Sequence, residues 1–228
     1  MTGNFTFTID GIEVQAQAGE TILEAALNAD IYIPHLCYYP DVPPHGSCRV
    51  CTVQINKRFT AACTTPAEPG MPVVNESEEL TDLRKAVIEM LFVEGNHFCP
   101  ICEKSGNCEL QAIAYRFGIL SPRYPYMFPT RSVDATHPDI MLDRNRCIQC
   151  GRCVRVSRDL DGKHVFELTG RSISTALAVD SKDGLENTDL SKLDKAVKAC
   201  PVGAICVKDT AFRTPIGERL YDKEPIGS

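Results

Sequence analysis

The chain has 228 residues, a formal net charge of −6 and twelve cysteines, with 43% hydrophobic and 24% charged residues. This length suits one or two compact domains with an ordinary core. Twelve cysteines make up about 5% of the chain, below the roughly 8–10% that is typical of small disulfide scaffolds. The acidic balance, 24 Lys and Arg against 30 Asp and Glu, argues against a general binder of nucleic acid or anionic membranes.

The N-terminus and the apolar runs predict a cytoplasmic protein without a membrane span. Residues 1–8 contain neither the basic segment nor the apolar stretch of a secretory signal. The best apolar run, residues 87–93, is interrupted by Glu89 and is far shorter than the roughly 18 residues that cross a bilayer. In a reducing compartment the cysteines are not expected to form structural disulfides, so they must serve another purpose.

The first segment, residues 1–76, has the pattern of a small strand-rich domain with one helix. Alternating apolar and polar residues on both sides of Asp10-Gly11 predict a β-hairpin. Thr21 precedes apolar residues at helical spacing, which predicts the helix. Short strands are predicted over residues 5–9, 12–15, 50–55 and 59–63.

The rest of the chain divides into three further segments. Residues 77–138 are predicted to form a helix from Ser77 towards Gly95, a second helix over residues 109–117, and an irregular connector with four prolines over residues 121–138. Residues 139–210 predict a mixed α+β domain. Residues 211–228 show no core pattern and predict an extended surface tail.

The first cysteine group has the spacing C-x10-C-x2-C-x11-C and comprises Cys37, Cys48, Cys51 and Cys63. Four thiolates can close either a tetrahedral zinc site or a two-iron cluster. A loop of small residues, 45–47, precedes the Cys48 pair and leads into a strand, which favours a [2Fe–2S] cluster. Zinc is the alternative, and uncoordinated thiols are the third interpretation.

The second group, Cys99, Cys102 and Cys108, lies in the predicted loop between two helices and leaves a four-ligand site one ligand short. His97 lies two residues before the first cysteine, so we expect a [4Fe–4S] cluster held by three thiolates and one imidazole. The alternative is that His97 is an ordinary hydrogen-bonded loop histidine.

The third group is Cys147, Cys150 and Cys153, followed much later by Cys200 before a proline. This C-x2-C-x2-C…C-P pattern is the bacterial ferredoxin arrangement and predicts a second [4Fe–4S] cluster. Position 157, where a two-cluster ferredoxin would carry a further cysteine, is Ser157, so one cluster is expected here. Cys206 is left over and is expected to be a small buried apolar residue.

Five arginines surround the third group, and they either form a solvated basic face or offset the charge of a cluster. They are Arg144, Arg146, Arg152, Arg155 and Arg158. No phosphate-binding loop, dinucleotide fingerprint or nucleophile motif is present in the sequence, so no catalytic residue and no cofactor site beyond the metal ligands is predicted.

The order of the three cysteine groups resembles the N-terminal part of the large iron–sulfur subunit of respiratory complex I and the gamma-type subunits of iron-only hydrogenases. Residues 92–108 and 214–227 are very similar to the small iron–sulfur diaphorase subunits of soluble NAD-reducing [NiFe] hydrogenases, and the likeness spans nearly the whole chain. One departure concerns the histidine. The complex I family places it four residues before the first cysteine, where this chain has Gly95.

The resemblance implies an α+β chain with an N-terminal β-grasp [2Fe–2S] ferredoxin domain, a helical segment with a His-Cys cluster, and a C-terminal bacterial-ferredoxin-like [4Fe–4S] domain. It also implies a non-catalytic subunit that passes electrons between the small and large subunits of a [NiFe] hydrogenase and a flavin-bearing, NAD-binding diaphorase subunit. Two other functions stay open: electron relay in another complex of the formate dehydrogenase or complex I type, and a zinc-stabilised interaction module.

Overall fold

The computed structural model describes residues 3–228, which belong to two compact units. The first unit comprises the chain through Tyr38 together with Pro44–Ile88 and Gly227–Ser228, and the second comprises Tyr39–Pro43 and Glu89–Ile226. The units do not follow the four segments drawn from the sequence, so those segment boundaries stay a prediction. Within the described residues, no helix is both long enough and apolar enough to span a membrane.

The first unit is built on a five-stranded sheet with the order β2-β1-β5-β3-β4. Its strands are β1 (Asn4–Ile9), β2 (Ile12–Gln17), β3 (Thr52–Ile55), β4 (Arg58–Ala61) and β5 (Pro72–Val74). β1 and β2 form the predicted antiparallel hairpin around Asp10-Gly11, and β5 pairs in parallel with β1. β5 was not predicted, because three residues are too few to show an alternating pattern.

One helix, α1 (Ile22–Asn28), packs with this sheet and begins where the sequence predicts it. The Thr21 hydroxyl accepts from the Glu24 backbone N–H, and the Glu24 carboxylate accepts from the Thr21 backbone N–H, which forms a capping box. Ile22 and Leu23 of α1 are fully buried, and Phe7 and Ile9 of β1 are at most 1% exposed. The apolar pattern of the helix and that of the hairpin therefore build one core.

Two helices flank the second cysteine group, α2 (Glu78–Val93) and α3 (Glu109–Arg116). The Ser77 hydroxyl accepts from the Leu80 backbone N–H at 3.1 Å, so the predicted N-cap is present. α3 ends at Arg116, one residue before the predicted end at residue 117.

The second unit contains two small sheets and short helices. One sheet has the order β10-β7-β6, and the other pairs β8 with β9. The elements are β6 (Val133–Asp134), β7 (Ile140–Asp143), α4 (Arg152–Asp159), β8 (Phe166–Thr169), β9 (Ala176–Val179), α5 (Lys195–Lys198), β10 (Ile205–Val207) and α6 (Leu220–Lys223).

The structure differs from the sequence prediction at β6 and α6. β6 lies in the predicted connector and is held by pairing with β7. α6 is one helical turn in a tail that was expected to be extended. It is held because Leu220 N–H donates to Asn107 Oδ1 at 3.0 Å and Tyr221 N–H donates to Gly106 O at 3.0 Å.

Candidate metal centres

All twelve cysteines are free thiols, and the first group forms one buried site in the first unit. Cys37 follows α1, Cys48 and Cys51 precede β3, and Cys63 follows β4. The Cys37 backbone N–H donates to Cys48 Sγ at 3.4 Å. The thiols also bond to one another, Cys37 with Cys48 and Cys63, and Cys51 with Cys63. The structure therefore brings together all four residues predicted for this site.

These contacts favour thiolates within the first site. Hydrogen bonds from Cys48 and Cys63 lower the pKa of Cys37, and a hydrogen bond from Cys63 lowers the pKa of Cys51. The same bonds raise the pKa of Cys48 and Cys63. Four buried sulfurs in mutual contact, two of them predisposed to lose a proton, form a donor set that fits a thiolate-ligated iron cluster.

The loop before the Cys48 pair requires a glycine at one position. Gly46 has a φ of 69°, a conformation that L side chains rarely adopt, and a β-carbon there would lie 3.0 Å from Thr64 Cγ2. Of the three residues that predicted a close-wrapping loop, Gly46 is therefore required by the loop's conformation.

Arg84 of α2 lies near this site and was not among the residues predicted for it. Its side chain is buried and donates to the Thr52 carbonyl, directly after Cys51. Burial lowers the pKa of Arg84 to about 10, and the Cys51 thiol is the group that most opposes this shift. A signal was available, because Arg84 occupies the same helical face as the fully buried Leu80 and Ile88, four residues away on either side.

The second group lies in the loop between α2 and α3, as predicted. Cys99 opens a short 3₁₀ turn and Cys108 immediately precedes α3, and the loop is folded by the bond from Ser105 N–H to the Cys102 carbonyl at 3.0 Å. Burial raises the pKa of Cys99 and raises that of Cys108 to about 12, and the Cys102 thiol raises both further. Cys102 Sγ accepts a hydrogen bond from Arg146 Nη1 at 3.6 Å.

His97 presents an unpaired nitrogen near this group. Its Nε2 is buried and has no hydrogen-bond partner. The ring's other nitrogen is therefore the one that bonds to the backbone of Leu91, and burial lowers the pKa of the imidazole to about 4, so the ring is neutral. His97 and Cys99 line the same pocket. A neutral imidazole, fixed through one nitrogen and unpaired at the other, is the form in which histidine binds a metal.

The third group encloses a single pocket in the second unit. Its four cysteines line this pocket together with apolar side chains, among them Leu168, Leu177 and Ile205. Burial raises the pKa of Cys147 to about 11 and that of Cys150 to about 12, and it raises the pKa of Cys153 as well. Gln149 N–H donates to Cys147 Sγ at 3.4 Å. Three cysteines from one loop and the remote Cys200 thus meet as the ferredoxin pattern predicts.

The arginines near this group do not form one solvated face. Arg152 and Arg155 are 4% and 7% exposed, so that interpretation is wrong for these two. Arg152 donates from Nη1 and Nη2 to the Glu109 carboxylate at 2.7 and 2.8 Å, while its buried Nε has no partner. Arg158 is exposed and pairs with Asp159.

Two side chains of the third segment have structural roles. Ser157 is fully buried, and its hydroxyl accepts from the Val165 backbone N–H at 3.1 Å. Cys206 is buried on β10 as predicted, and burial raises the pKa of its thiol to about 12. Within residues 3–228, no three or more His, Cys, Asp or Glu side chains are arranged around a single metal ion. In an iron–sulfur cluster, by contrast, the thiolates are distributed over several irons.

The second and third groups are joined within the second unit. The Glu109 N–H, next to Cys108, donates to the Pro201 carbonyl, next to Cys200, at 2.9 Å. Gly203 lies so close to the second group that a β-carbon there would be 2.5 Å from Cys102 Sγ.

The fold and the cysteine sites define an iron–sulfur protein with both 2Fe–2S and 4Fe–4S domains. Family models match a 2Fe-2S iron-sulfur cluster binding domain at residues 3–78, the NADH-ubiquinone oxidoreductase-G iron-sulfur binding region at 84–123, and a 4Fe-4S single cluster domain at 140–207. The gamma subunit of the NAD-reducing hydrogenase HoxS of Cupriavidus necator is 42% identical over 96% of this chain and 94% of its own length. The chain belongs to this family of hydrogenase gamma subunits.

A solved structure supports the same assignment. The crystal structure of an NAD+-reducing [NiFe]-hydrogenase in the H2-reduced state contains a chain that matches with a TM-score of 0.94 and 50% identity, over 97% of this chain and 94% of that one. The predicted fold class and family are therefore confirmed.

More distant relatives are much longer proteins. The alpha subunit of the NADPH-Fe(3+) oxidoreductase of Geobacter sulfurreducens is 34% identical over 91% of this chain. The 78 kDa subunit of the mitochondrial NADH-ubiquinone oxidoreductase of Candida albicans is 34% identical over 90%. This chain spans only 24% and 29% of their lengths.

Proposed function

We propose that this chain relays electrons through iron–sulfur clusters between a [NiFe] hydrogenase module and a flavin- and NAD-binding diaphorase module, in the reaction H2 + NAD+ → NADH + H+. The observation that carries this proposal is the full-length likeness to a hydrogenase gamma subunit, combined with three separate groups of buried or half-buried cysteines in one chain. The chain itself transfers no hydride and is the electron-carrying subunit of the enzyme.

Three clusters are proposed, one [2Fe–2S] and two [4Fe–4S]. The first would be held by Cys37, Cys48, Cys51 and Cys63, the second by His97, Cys99, Cys102 and Cys108, and the third by Cys147, Cys150, Cys153 and Cys200. When bound, such clusters supply one-electron redox chemistry. The ligand assignment is supported by the four mutually bonded thiols, the unpaired Nε2 of His97 and the single pocket lined by the third group. We propose one cluster in each of the segments 1–76, 77–138 and 139–210. Residues 211–228 form the proposed tail, which carries no cluster.

The protein's own groups provide the surroundings that these clusters need. Apolar side chains line the third site, and buried or half-buried guanidinium groups lie near cysteines of the second and third sites. Arg146 donates to Cys102 Sγ, and the positive charge of Arg152 opposes the rise that burial causes in the pKa of Cys150. Hydrogen bonds and positive charge near the ligands stabilise the more negative, reduced form of a cluster.

The proposed partners are the flavin/NAD-binding diaphorase subunit and the small and large subunits of a [NiFe] hydrogenase, in the cytoplasm. The test is to tag this chain at its native locus, purify the complex, measure nickel and flavin, and assay reduction of NAD+ with hydrogen as the donor. We expect both cofactors and hydrogen-dependent NADH formation.

The second candidate function, relay in another NAD-linked complex, is favoured by the 34% identity to complex I subunits. The same preparation decides between the two functions. A complex without nickel, which reduces NAD+ with formate and not with hydrogen, would replace the first proposal by the second.

A further inference from the structure

Arg84 carries a positive charge that is buried without a carboxylate partner. Its side chain is 3% exposed. Nε and Nη2 donate to the Thr52 carbonyl at 3.1 and 2.7 Å, Nη1 donates to the Asn75 carbonyl at 2.9 Å, and Nη2 also donates to Asn75 Oδ1 at 2.8 Å. Among residues 3–228, no carboxylate forms an ion pair with this guanidinium.

A buried cation that bonds only neutral acceptors is costly, because carbonyl and amide oxygens replace water without cancelling the charge. Such a group is retained where an anion lies close by. The Thr52 carbonyl that receives two of the bonds directly follows Cys51 in the chain. Burial lowers the pKa of Arg84, and Cys51 opposes that shift more strongly than Asp10 or Glu76. The guanidinium therefore holds the peptide group next to a proposed ligand of the first centre, whose thiolates would supply the missing negative charge.

We propose that Arg84 is the buried counter-charge of the N-terminal [2Fe–2S] centre and raises its reduction potential. This inference rests on the proposed function, because it takes Cys51 as a ligand of that centre. Reduction adds one electron to a site that is already negative, and a fixed cation at short range stabilises the reduced form more than the oxidised form. Arg84 is thus a positioning residue, which acts on the centre through its charge and through the backbone of Thr52.

Asn75 offers a second way to change the same charge. Its Oδ1 already accepts from Nη2 of Arg84, and the residue is 4% exposed. Asn75→Asp keeps the shape of the side chain and places a negative charge beside the guanidinium. The four bonds of Arg84 remain, and the bond that is lost is the one from Asn75 Nδ2 to the Tyr32 carbonyl at 3.3 Å. Arg84→Gln removes the charge itself. Both changes act in the same direction on the centre by independent routes.

The experiment is an EPR-monitored redox titration of the full-length holo-protein. We expect Arg84→Gln and Asn75→Asp each to weaken reduction of the [2Fe–2S] centre about tenfold, which is about 59 mV for a one-electron couple. Arg84→Lys, which keeps the charge, should stay close to the wild-type midpoint. The midpoints of the two [4Fe–4S] centres should not move.

Asn28→Asp is the matched control, because it makes the same chemical change at an exposed residue at the end of α1. Its charge is screened by water, so the [2Fe–2S] midpoint should be unchanged. If Arg84→Gln does not fold, the [2Fe–2S] midpoint potential of Asn75→Asp decides whether the inference holds. A [2Fe–2S] signal whose midpoint is the same in wild type and Asn75→Asp overturns this inference alone. A wild-type chain without any [2Fe–2S] signal overturns the proposed function as well.

Discussion

The imidazole of His97 lies against Gly95, so closely that a β-carbon at residue 95 would come 2.7 Å from Nε2. Gly95 occupies the position at which the complex I family carries its histidine, four residues before the first cysteine. In this chain the ring reaches that same neighbourhood from two residues further along. The glycine leaves the space that the ring occupies, so the shifted histidine and the glycine depend on each other.

The first prediction concerns the fourth ligand of the middle cluster. His97→Ala should abolish or shift one [4Fe–4S] EPR signal while the [2Fe–2S] signal and the other [4Fe–4S] signal remain. His97→Cys should restore a cluster at this site with a lower midpoint potential, because a thiolate is more negative than an imidazole. If both [4Fe–4S] signals are unchanged in His97→Ala, the ligand lies elsewhere.

The second prediction separates ligand cysteines from the spare one. Cys51→Ser should remove the [2Fe–2S] signal and leave both [4Fe–4S] signals, because it removes one of four ligands at that site only. Cys206→Ser is the matched control: this residue is also buried but is assigned to no cluster, so all three signals should persist. EPR spectra of the two reduced variants provide the measurement. Loss of a [4Fe–4S] signal in Cys206→Ser would show that the ligand assignment is wrong.

The third prediction is that the Arg152–Glu109 ion pair influences the midpoint potential of one [4Fe–4S] centre. Changing the arginine should lower this potential, and changing the carboxylate should raise it. Arg152→Ala removes a buried positive charge beside the third group and should lower one [4Fe–4S] midpoint. Glu109→Gln keeps the arginine but removes the carboxylate that neutralises it, and should raise the same midpoint. The size expected for each is about tenfold in the reduction equilibrium, or about 59 mV. Identical midpoints in both variants and wild type would assign Arg152 a structural role only.

The fourth prediction tests the contact between the second and third groups. Gly203 has an ordinary backbone conformation for an L-residue, so Gly203→Ala is opposed only by its neighbours, first of all Cys102 Sγ at 2.5 Å. The added methyl group should displace Cys102 and alter the EPR signal of the middle cluster, while the [2Fe–2S] signal stays unchanged. A middle-cluster signal identical to wild type would mean that Cys102 is not held at this contact in the holo-protein.

The sequence predicted which cysteines of the first and third groups lie together, because ligand spacing is local information. The C-x2-C-x2-C run places three thiolates in one loop whatever the rest of the chain does, and the remote Cys200 was found through its following proline. The hairpin around Asp10-Gly11 and the helices after Thr21 and Ser77 were predicted for a similar reason, since turns and caps depend on a few adjacent residues.

The features that were missed depend on distant partners. β5 exists because it pairs with β1 and β3, which lie far from it in the chain. Charge patterns alone could not separate the buried Arg152 from the exposed Arg158, because the partner of Arg152 is Glu109, 43 residues away. Arg84 was recognisable only as a cation on an otherwise apolar helical face, and its carbonyl acceptors lie on other elements.

The electron relay is tested most directly in the native complex by EPR, with the [2Fe–2S] signal of this chain identified by its loss in Cys51→Ser. Addition of hydrogen to the oxidised complex should produce the signal of the reduced [2Fe–2S] centre, and addition of NAD+ after the hydrogen has been removed should abolish it. A centre that hydrogen does not reduce, or that stays reduced when NAD+ is added in the absence of hydrogen, would contradict the relay.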